Sequence, residues 1–378
     1  MDSCDVLIVG GGPAGSSCAW GLRSSRLSVV ILDKARFPRN KVCGGWITPF
    51  VLQALAIDRQ DYARGRTFQP ITGFRIGWIP AQAGAKAAHN GDSRVRRDVD
   101  VPYGEAISYG IRRCEFDEYL LRRSGAHVCE GVSVSSIERT ADGWTINGKI
   151  RTRLLIGAGG HFCPVARFLG DDKTNQPVVA QEVEFEMDEQ EATACAVQQE
   201  IPELYFCHDL QGYGWCFRKD NFLNIGLGRL DQRALPDHVS RFVQFLHSQG
   251  KLGFDPPRRM SGHAYLLYGY SQRRVADDGV MLIGDAAGLA YMQSGEGIRP
   301  AVESGLMAAE VICSAAGRYT QDRLQSYRAL LEKAYGQGRS PAHHLPRKLR
   351  NTIGRLLLST SWFCRRMVVE KWFLHEKQ

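Results

Sequence analysis

Apolar and polar positions along the chain fall into two patterns. Four short runs, Val6–Val9, Val29–Leu32, Leu154–Ile156 and Val280–Ile283, are continuously apolar, which predicts strands buried on both faces of an α/β sheet. They lie far apart in sequence, so the domain they build is assembled from separated pieces. From about Phe68 to Val101, and from about Val178 to His263, aromatic or β-branched residues alternate with polar ones, as in Glu182-Val183-Glu184-Phe185-Glu186-Met187. That alternation predicts antiparallel strands with one wet face. After Gly297 the period turns helical, with Ala301, Val302, Leu306, Ala309, Val311 and Ile312 roughly on one face, and it stays helical to the end, interrupted by Pro341 and Pro346.

The expected division is a nucleotide-binding domain from 1–67, 102–177 and 264–325, a second domain from 68–101 and 178–263, and a C-terminal basic helical segment, 326–378. The chain has 378 residues, 44% of them hydrophobic and 23% charged, a composition that excludes disorder. No apolar run reaches the roughly 18 residues of a spanning helix. Asp2 and Asp5 stand where a secretory signal places Lys or Arg, so the expected location is cytoplasmic. The eleven cysteines include no Cys-x-x-Cys pair and read as reduced thiols, with no metal site. The net charge of +8 is concentrated from Arg339 onward, where nine Lys or Arg face only Glu370 and Glu376.

The strongest motif is Asp5-Val-Leu-Ile-Val-Gly10-Gly-Gly12-Pro13-Ala14-Gly15, a strand followed by Gly-x-Gly-x-x-Gly and a helix predicted over Ser16–Leu22. Gly10 makes the tight turn, Gly12 lets a pyrophosphate approach the backbone, and Gly15 lets helix and strand pack closely. The next strand ends in Asp33, eighteen residues past Gly15, where a carboxylate can accept hydrogen bonds from ribose hydroxyls. This unit alone does not separate NAD from FAD. The distal Val280-Met-Leu-Ile-Gly284-Asp285 element, then Gly295-Glu296-Gly297-Ile298 and a long helix, favours FAD. A strand ending in Gly-Asp sets a carboxylate over a polyol, and a helix N-terminus near a reduced flavin would stabilise its negative edge by up to about 2 kcal/mol.

With Arg113-x-x-Phe116-Asp117 and Gly157-Ala158-Gly159-Gly160, these elements resemble flavoproteins of the p-hydroxybenzoate hydroxylase fold. Within that superfamily the chain resembles the geranylgeranyl reductase family, through Lys41-Val-Cys43-Gly44-Gly45, Gly212-Tyr213-Gly-Trp215-Cys-Phe217 and Asn224-Ile-Gly226-Leu-Gly228. Two positions depart from the family pattern: Gly159 stands where it has Asp, and Arg218 where it has Pro. The resemblance implies an α/β fold (α+β overall), with a Rossmann-type FAD-binding domain of discontinuous segments, an antiparallel substrate domain and C-terminal helices. It implies FAD as cofactor, with NADPH as a candidate electron donor. It places Cys43, Gly44 and Gly45 at the face of the flavin ring and Tyr213, Trp215 and Phe217 across from it, and the candidate cofactor positions also include Lys34 and Val132.

Alternation sends Tyr213, Trp215 and Phe217 to one side of a strand, an aromatic wall suited to an apolar or planar substrate. Ordinary sheet core is the competing reading. Reduction of an isolated C=C bond needs a hydride and a proton, and Cys43, Tyr213 and Lys41 are the candidate donors of the proton, with Trp215 beside them. The leading expectation is reduction of C=C bonds in an isoprenoid lipid or quinone side chain. A flavin monooxygenase or halogenase, and a non-catalytic FAD-containing membrane-surface protein, stand as alternatives. The tail, with Arg347, Lys348, Arg350, Arg355, Arg365, Arg366 and Lys371 among Leu356–Leu358, Trp362, Phe363, Trp372 and Phe373, reads either as a helix at an anionic lipid surface or as a helix packed on the flavin domain. No nucleic-acid motif accompanies the charge.

Overall fold

A computed structural model describes residues 3–80, 98–170, 176–231, 233–271, 273–336 and 353–375; Pro341, Pro346, Arg347, Lys348 and Arg350 lie outside them. In chain order, strand β1 (Ser3–Val9), helix α1 (Pro13–Leu22) and strand β2 (Val29–Asp33) form the first unit. Helix α2 (Arg113–Arg123) and strand β3 (Ile150–Gly157) come next. Strands β4 (Val178–Glu186), β5 (Glu203–Cys207), β6 (Gly212–Lys219) and β7 (Phe222–Arg229), helix α3 (Leu235–Ser248) and strand β8 (Ser261–Tyr265) follow. Strand β9 (Val280–Leu282) and helix α4 (Ile298–Ser314) return to the first unit.

One sheet carries the order β9-β3-β1-β2 and then His127–Glu130, all parallel, so the separated apolar runs meet as expected. Val6, Leu7 and Ile8 are fully buried, which is why this run does not alternate. Helix α1 begins earlier than the pattern predicts, because Pro13 suits a first helical turn. Its small residues let it lie very close to α4: a Cβ on Gly305 would stand 2.5 Å from the Ala14 carbonyl oxygen, and one on Gly21 2.7 Å from the Ala309 Cβ.

The second sheet runs β8-β4-β7-β6-β5, then Gly73–Ile79 and Val99–Pro102. It departs from the antiparallel expectation at one pair, since β5 and Gly73–Ile79 run parallel. A long excursion separates them, and only hairpin-linked neighbours are obliged to be antiparallel. One face packs Leu223, Ile225 and Leu227 against Val239, Phe242 and Phe245, on and near α3.

The other face is not wet. Glu182, Lys219 and Asn224 on it are buried, so the polar half of the alternation marks a covered polar network instead of solvent. The C-terminal helix Cys364–Phe373 covers part of this face, burying Val368, Val369 and Phe373 in a cluster with Trp46, Phe74, Trp215 and Phe217. The Phe373 and Trp46 rings are 4.9 Å apart. The tail therefore docks on the second sheet as well as on the flavin domain, which it meets through Trp46, Glu296 and Arg299. Before that helix, Leu356 and Trp362 remain 70% and 71% exposed.

Because Phe373 is buried between the helix and the sheet, Phe373→Ala is expected to cost about 3–5 kcal/mol, read as a lower urea midpoint. A midpoint equal to that of the parent chain would show that the tail does not contribute to the core.

Candidate functional site

A cleft of about 600 Å³ runs between the two sheets. At one end the β1–α1 turn is shaped by its glycines. Gly10 has φ +116°, and a Cβ there would lie 2.4 Å from the Ala158 carbonyl oxygen. The carboxylate of Asp33 accepts the Gly11 N–H at 2.7 Å and the Ala35 N–H at 2.8 Å, so it holds the turn itself and keeps further lone pairs for hydroxyl donors. No side chain caps the N-terminus of α1. Its leading amide groups and dipole are thus available to an anion. Arg113 grips Asp117 through two 2.8 Å bonds, and Arg39 meets the same carboxylate at 3.2 Å.

Midway along the cleft stands Asp285, 3.1 Å from the Lys41 ammonium and 3.4 Å from His263 Nε2. Burial alone would raise its pKa, but Lys41 and His263 more than offset this and hold the carboxyl well below the ordinary carboxylate range. Burial, with Lys41 adding to it, pushes His263 down from its ordinary value.

At the far end α4 begins at Gly297, which offers no side-chain cap, though Glu296 accepts the Arg299 N–H at 3.4 Å. Gly295 has φ +69°, and a Cβ on it would stand 2.5 Å from the Tyr265 hydroxyl. The Cys43–Gly45 loop meets the aromatic wall here: a Cβ on Gly44 would be 3.1 Å from the Phe217 ring and 3.6 Å from Trp215 Nε1. Trp215 can lie across β7 because position 226 is glycine; a Cβ there would fall 2.2 Å from the indole. The Tyr213 hydroxyl donates to the Ser294 carbonyl, and burial raises its pKa well above the ordinary value.

Of the candidate residues, the cleft is lined by Gly10, Gly12, Pro13, Ala14, Asp33, Lys34, Lys41, Cys43, Gly44, Gly45, Arg113, Val132, Gly159, Tyr213, Trp215, Asp285, Gly295, Gly297 and Ile298. Gly15, Gly157 and Gly284 do not line it. A Cβ on Gly15 would sit 1.9 Å from the Gly10 carbonyl oxygen, one on Gly157 2.6 Å from Leu282, and one on Gly284 2.8 Å from Ala14, so these three serve packing. Arg218 points away from the wall and donates to the Ala192 carbonyl at 3.2 Å, so that departure lies off the cleft, whereas Gly159 lies on it.

Arg39, Trp46, His263, Tyr265 and Phe373 also line the cleft and were not singled out by the motifs. His263 and Tyr265 share one face of β8 by alternation, a signal present in Ser261-Gly-His263-Ala-Tyr265 but set at a domain boundary.

The groups present fit a long dinucleotide. Two helix N-termini with glycine N-caps open on one cleft, with Asp33 beyond one and Asp285 between them, and the second ends at a glycine-lined slot beside aromatic rings. Comparison with known proteins agrees on the fold. Residues 8–68 match the model of the NAD(P)-binding Rossmann-like domain family. The chain is 29% identical over 388 residues to the menaquinone reductase of Mycobacterium tuberculosis, covering 95% of this chain and 86% of that one. A crystal structure of a geranylgeranyl bacteriochlorophyll reductase-like protein from Thermoplasma acidophilum matches with a TM-score of 0.72 at 21% identity, covering 95% of this chain and 88% of that one. A mutant of the halogenase PltM in complex with FAD matches with a TM-score of 0.69 at 18% identity, covering 95% and 78%. The resemblance to geranylgeranyl reductases read from the motifs is thus matched by relatives along nearly the whole chain.

Near the Cys43 loop, Glu182 is 5% exposed and its Oε2 atom has no hydrogen-bond partner. Burial pushes its pKa up to about 7, against the opposing pull of the Cys43 amide and Lys219. Between its ordinary value near 4.5 and about 7, the folded protein holds a proton that the unfolded chain has released, so this group's contribution to stability falls as pH rises through that window. Glu182→Gln is expected to be more stable than the parent at pH 8, by up to about 3 kcal/mol, with the gap narrowing towards pH 5. Urea unfolding across that range checks it, and a gap independent of pH would contradict the titration.

Proposed function

We propose that this chain is an FAD-dependent oxidoreductase that reduces C=C bonds of an isoprenoid lipid or quinone side chain. The observation that carries the reading is the convergence of both glycine-capped helix N-termini on a cleft that ends in an aromatic wall. The names of the menaquinone reductase and the geranylgeranyl bacteriochlorophyll reductase-like relatives support the substrate class. When bound, reduced FAD would supply a hydride to one carbon of the double bond.

The protein's own residues would do the rest. The α1 N-terminus and the Gly10–Gly12 turn would hold the pyrophosphate, Asp33 a ribose and Asp285 the polyol, while the α4 N-terminus would favour negative charge on the ring. Tyr213, Trp215, Phe217 and Phe373 would exclude water and hold the prenyl chain. Two of the three candidate proton donors are engaged: Tyr213 donates to Ser294, and Lys41 is paired with Asp285. Cys43 accepts the Gly45 N–H at 3.4 Å through its sulfur and lies beside Arg113, and we propose its thiol as the proton donor to the second carbon.

NADPH is the electron donor we propose for the flavin. For access to lipid we propose the tail, where exposed Ile353, Leu356 and Trp362 accompany Arg355, Arg365 and Arg366. Among the described residues no helix is long and apolar enough to cross a membrane.

The purified protein is expected to show a flavin absorbance spectrum that bleaches under anaerobic NADPH and recovers on adding a prenylated quinone, which, once its ring is reoxidised, carries two more hydrogens in its side chain by mass. Cys43→Ser should keep the spectrum and slow turnover about 10²-fold or more. Oxygen consumption with hydroxylation or halogenation of an aromatic, and no change in any prenyl chain, would support the alternative chemistry. Joint replacement of Leu356 and Trp362 by Ser should weaken co-sedimentation with anionic vesicles at unchanged flavin content; equal sedimentation would refute the tail's role.

A further inference from the structure

Lys219 lies on β6 two residues beyond Phe217, on the same face as the aromatic wall, yet it does not line the cleft. Its side chain is 2% exposed. The ammonium makes three bonds, to the Gly44 carbonyl at 3.1 Å, the Ile111 carbonyl at 3.0 Å and the Glu184 carboxylate. Three donors meet three acceptors, so its hydrogen-bonding capacity is filled. Glu184 also accepts Asn224 Nδ2 at 3.3 Å, and Arg112 stands 3.6 Å from its other oxygen. Asn224 donates in turn to the Cys43 carbonyl at 3.2 Å and accepts the Trp215 indole N–H at 2.7 Å.

Two successive carbonyls of the loop, those of Cys43 and Gly44, are thus held from the second sheet by two neighbouring side chains. The surrounding glycines make room for the arrangement. A Cβ on Gly45 would lie 2.5 Å from the Lys219 ammonium nitrogen, and one on Gly110 2.9 Å from its Cγ. Burying an ion pair seldom stabilises a protein more than apolar residues of the same volume would, so core packing alone is a weak reason for this lysine. Its bond to the loop is a better one.

We propose that Lys219, Glu184 and Asn224 form a positioning latch: they fix the Cys43–Gly44 loop against the redox end of the cleft and tie it to Trp215, so that loop and substrate wall keep one spacing. These are positioning residues, acting through Cys43 and Trp215 and touching neither cofactor nor substrate. The functional consequence rests on the reading of Cys43 as the group facing the reacting carbon, while the latch itself does not depend on which acceptor is reduced.

The test uses three variants of the full chain as purified. Asn224→Ala removes the Cys43 and Trp215 bonds and leaves the ion pair, and Lys219→Met with Glu184→Gln removes the pair without stranding a charge. Alkylation of Cys43 by iodoacetamide, followed by peptide mass spectrometry, is expected to change several-fold in both. The kcat is expected to fall about 10-fold or more with KM nearly unchanged, since a misplacement of order 1 Å costs up to about 10²-fold. Lys219→Arg should not rescue, because a planar fork does not reproduce three divergent bonds. Unchanged Cys43 alkylation in folded Asn224→Ala overturns the latch, even if the double variant fails to fold. Protein that binds no FAD and turns over no prenyl substrate would instead defeat the functional reading, and the alkylation result would still decide the latch.

Discussion

The close packing of α1 on α4 is the constraint from which the site follows. Nearly three hundred residues separate the two helices in sequence, and they approach so nearly that Gly21 and Gly305 could carry no side chain without a clash. Each helix begins with a glycine at its N-cap, Gly12 and Gly297, and neither of these residues supplies a side-chain cap. Side-by-side packing therefore aims two positive dipole ends at one cleft, where the Arg299 N–H of α4 already donates to Glu296 at 3.4 Å. That is an unfavourable arrangement for a protein left to itself, and an anionic ligand bridging both ends relieves it. Fold stability and cofactor affinity are coupled through this pair of helices.

The second sheet solves a different problem, which is to put a flat apolar wall beside a charged loop. Glycines at 226 and 228 on β7 leave space across which the Trp215 indole lies. The same face carries Glu182, Glu184, Asn224 and Lys219, and burial makes each of them dependent on a partner. Most of these partners belong to the loop or to the face itself. The network is thus one body with the Cys43 loop, and the alternation of apolar and polar residues records a division of labour within a covered face.

This explains what could and could not be read from the sequence. The β1–α1–β2 unit and the Gly284-Asp285 element are legible because the residues that mark each of them, the strand, the turn glycines and the carboxylate, occur within one short stretch. The aromatic wall is legible for the same reason, since alternation alone places Tyr213, Trp215 and Phe217 together. Periodicity reports which residues share a face but not what covers that face. Glu182 and Glu184 therefore read as wet. The tail misled in the same way: its cations dominate its composition, while Val368, Val369 and Phe373, which anchor it, form no recognisable pattern in a helix of π type. His263 and Tyr265 sit on a sheet-edge strand whose only signal is two side chains at a spacing of two.

The tail also changes how the apolar half of the cleft is understood. Phe373 closes against Trp46 and Tyr213, with ring centroids 4.9 and 5.9 Å away, so part of the wall is contributed by the last helix of the chain. That helix is tied to the start of α4, where Arg299 donates to the Leu374 carbonyl at 3.0 Å and His375 lies 3.3 Å from Glu296. The residues that would sense the ring at Gly295–Gly297 and the residues that enclose an apolar substrate are consequently joined through one short stretch of charged and backbone contacts. A displacement of the tail must disturb both. An enzyme acting on a hydrocarbon has few polar handles on its substrate, and enclosure has to supply the orientation that hydrogen bonds supply elsewhere. Anchoring the enclosing helix to the cofactor end of the cleft lets one packing interaction set the distance between the two.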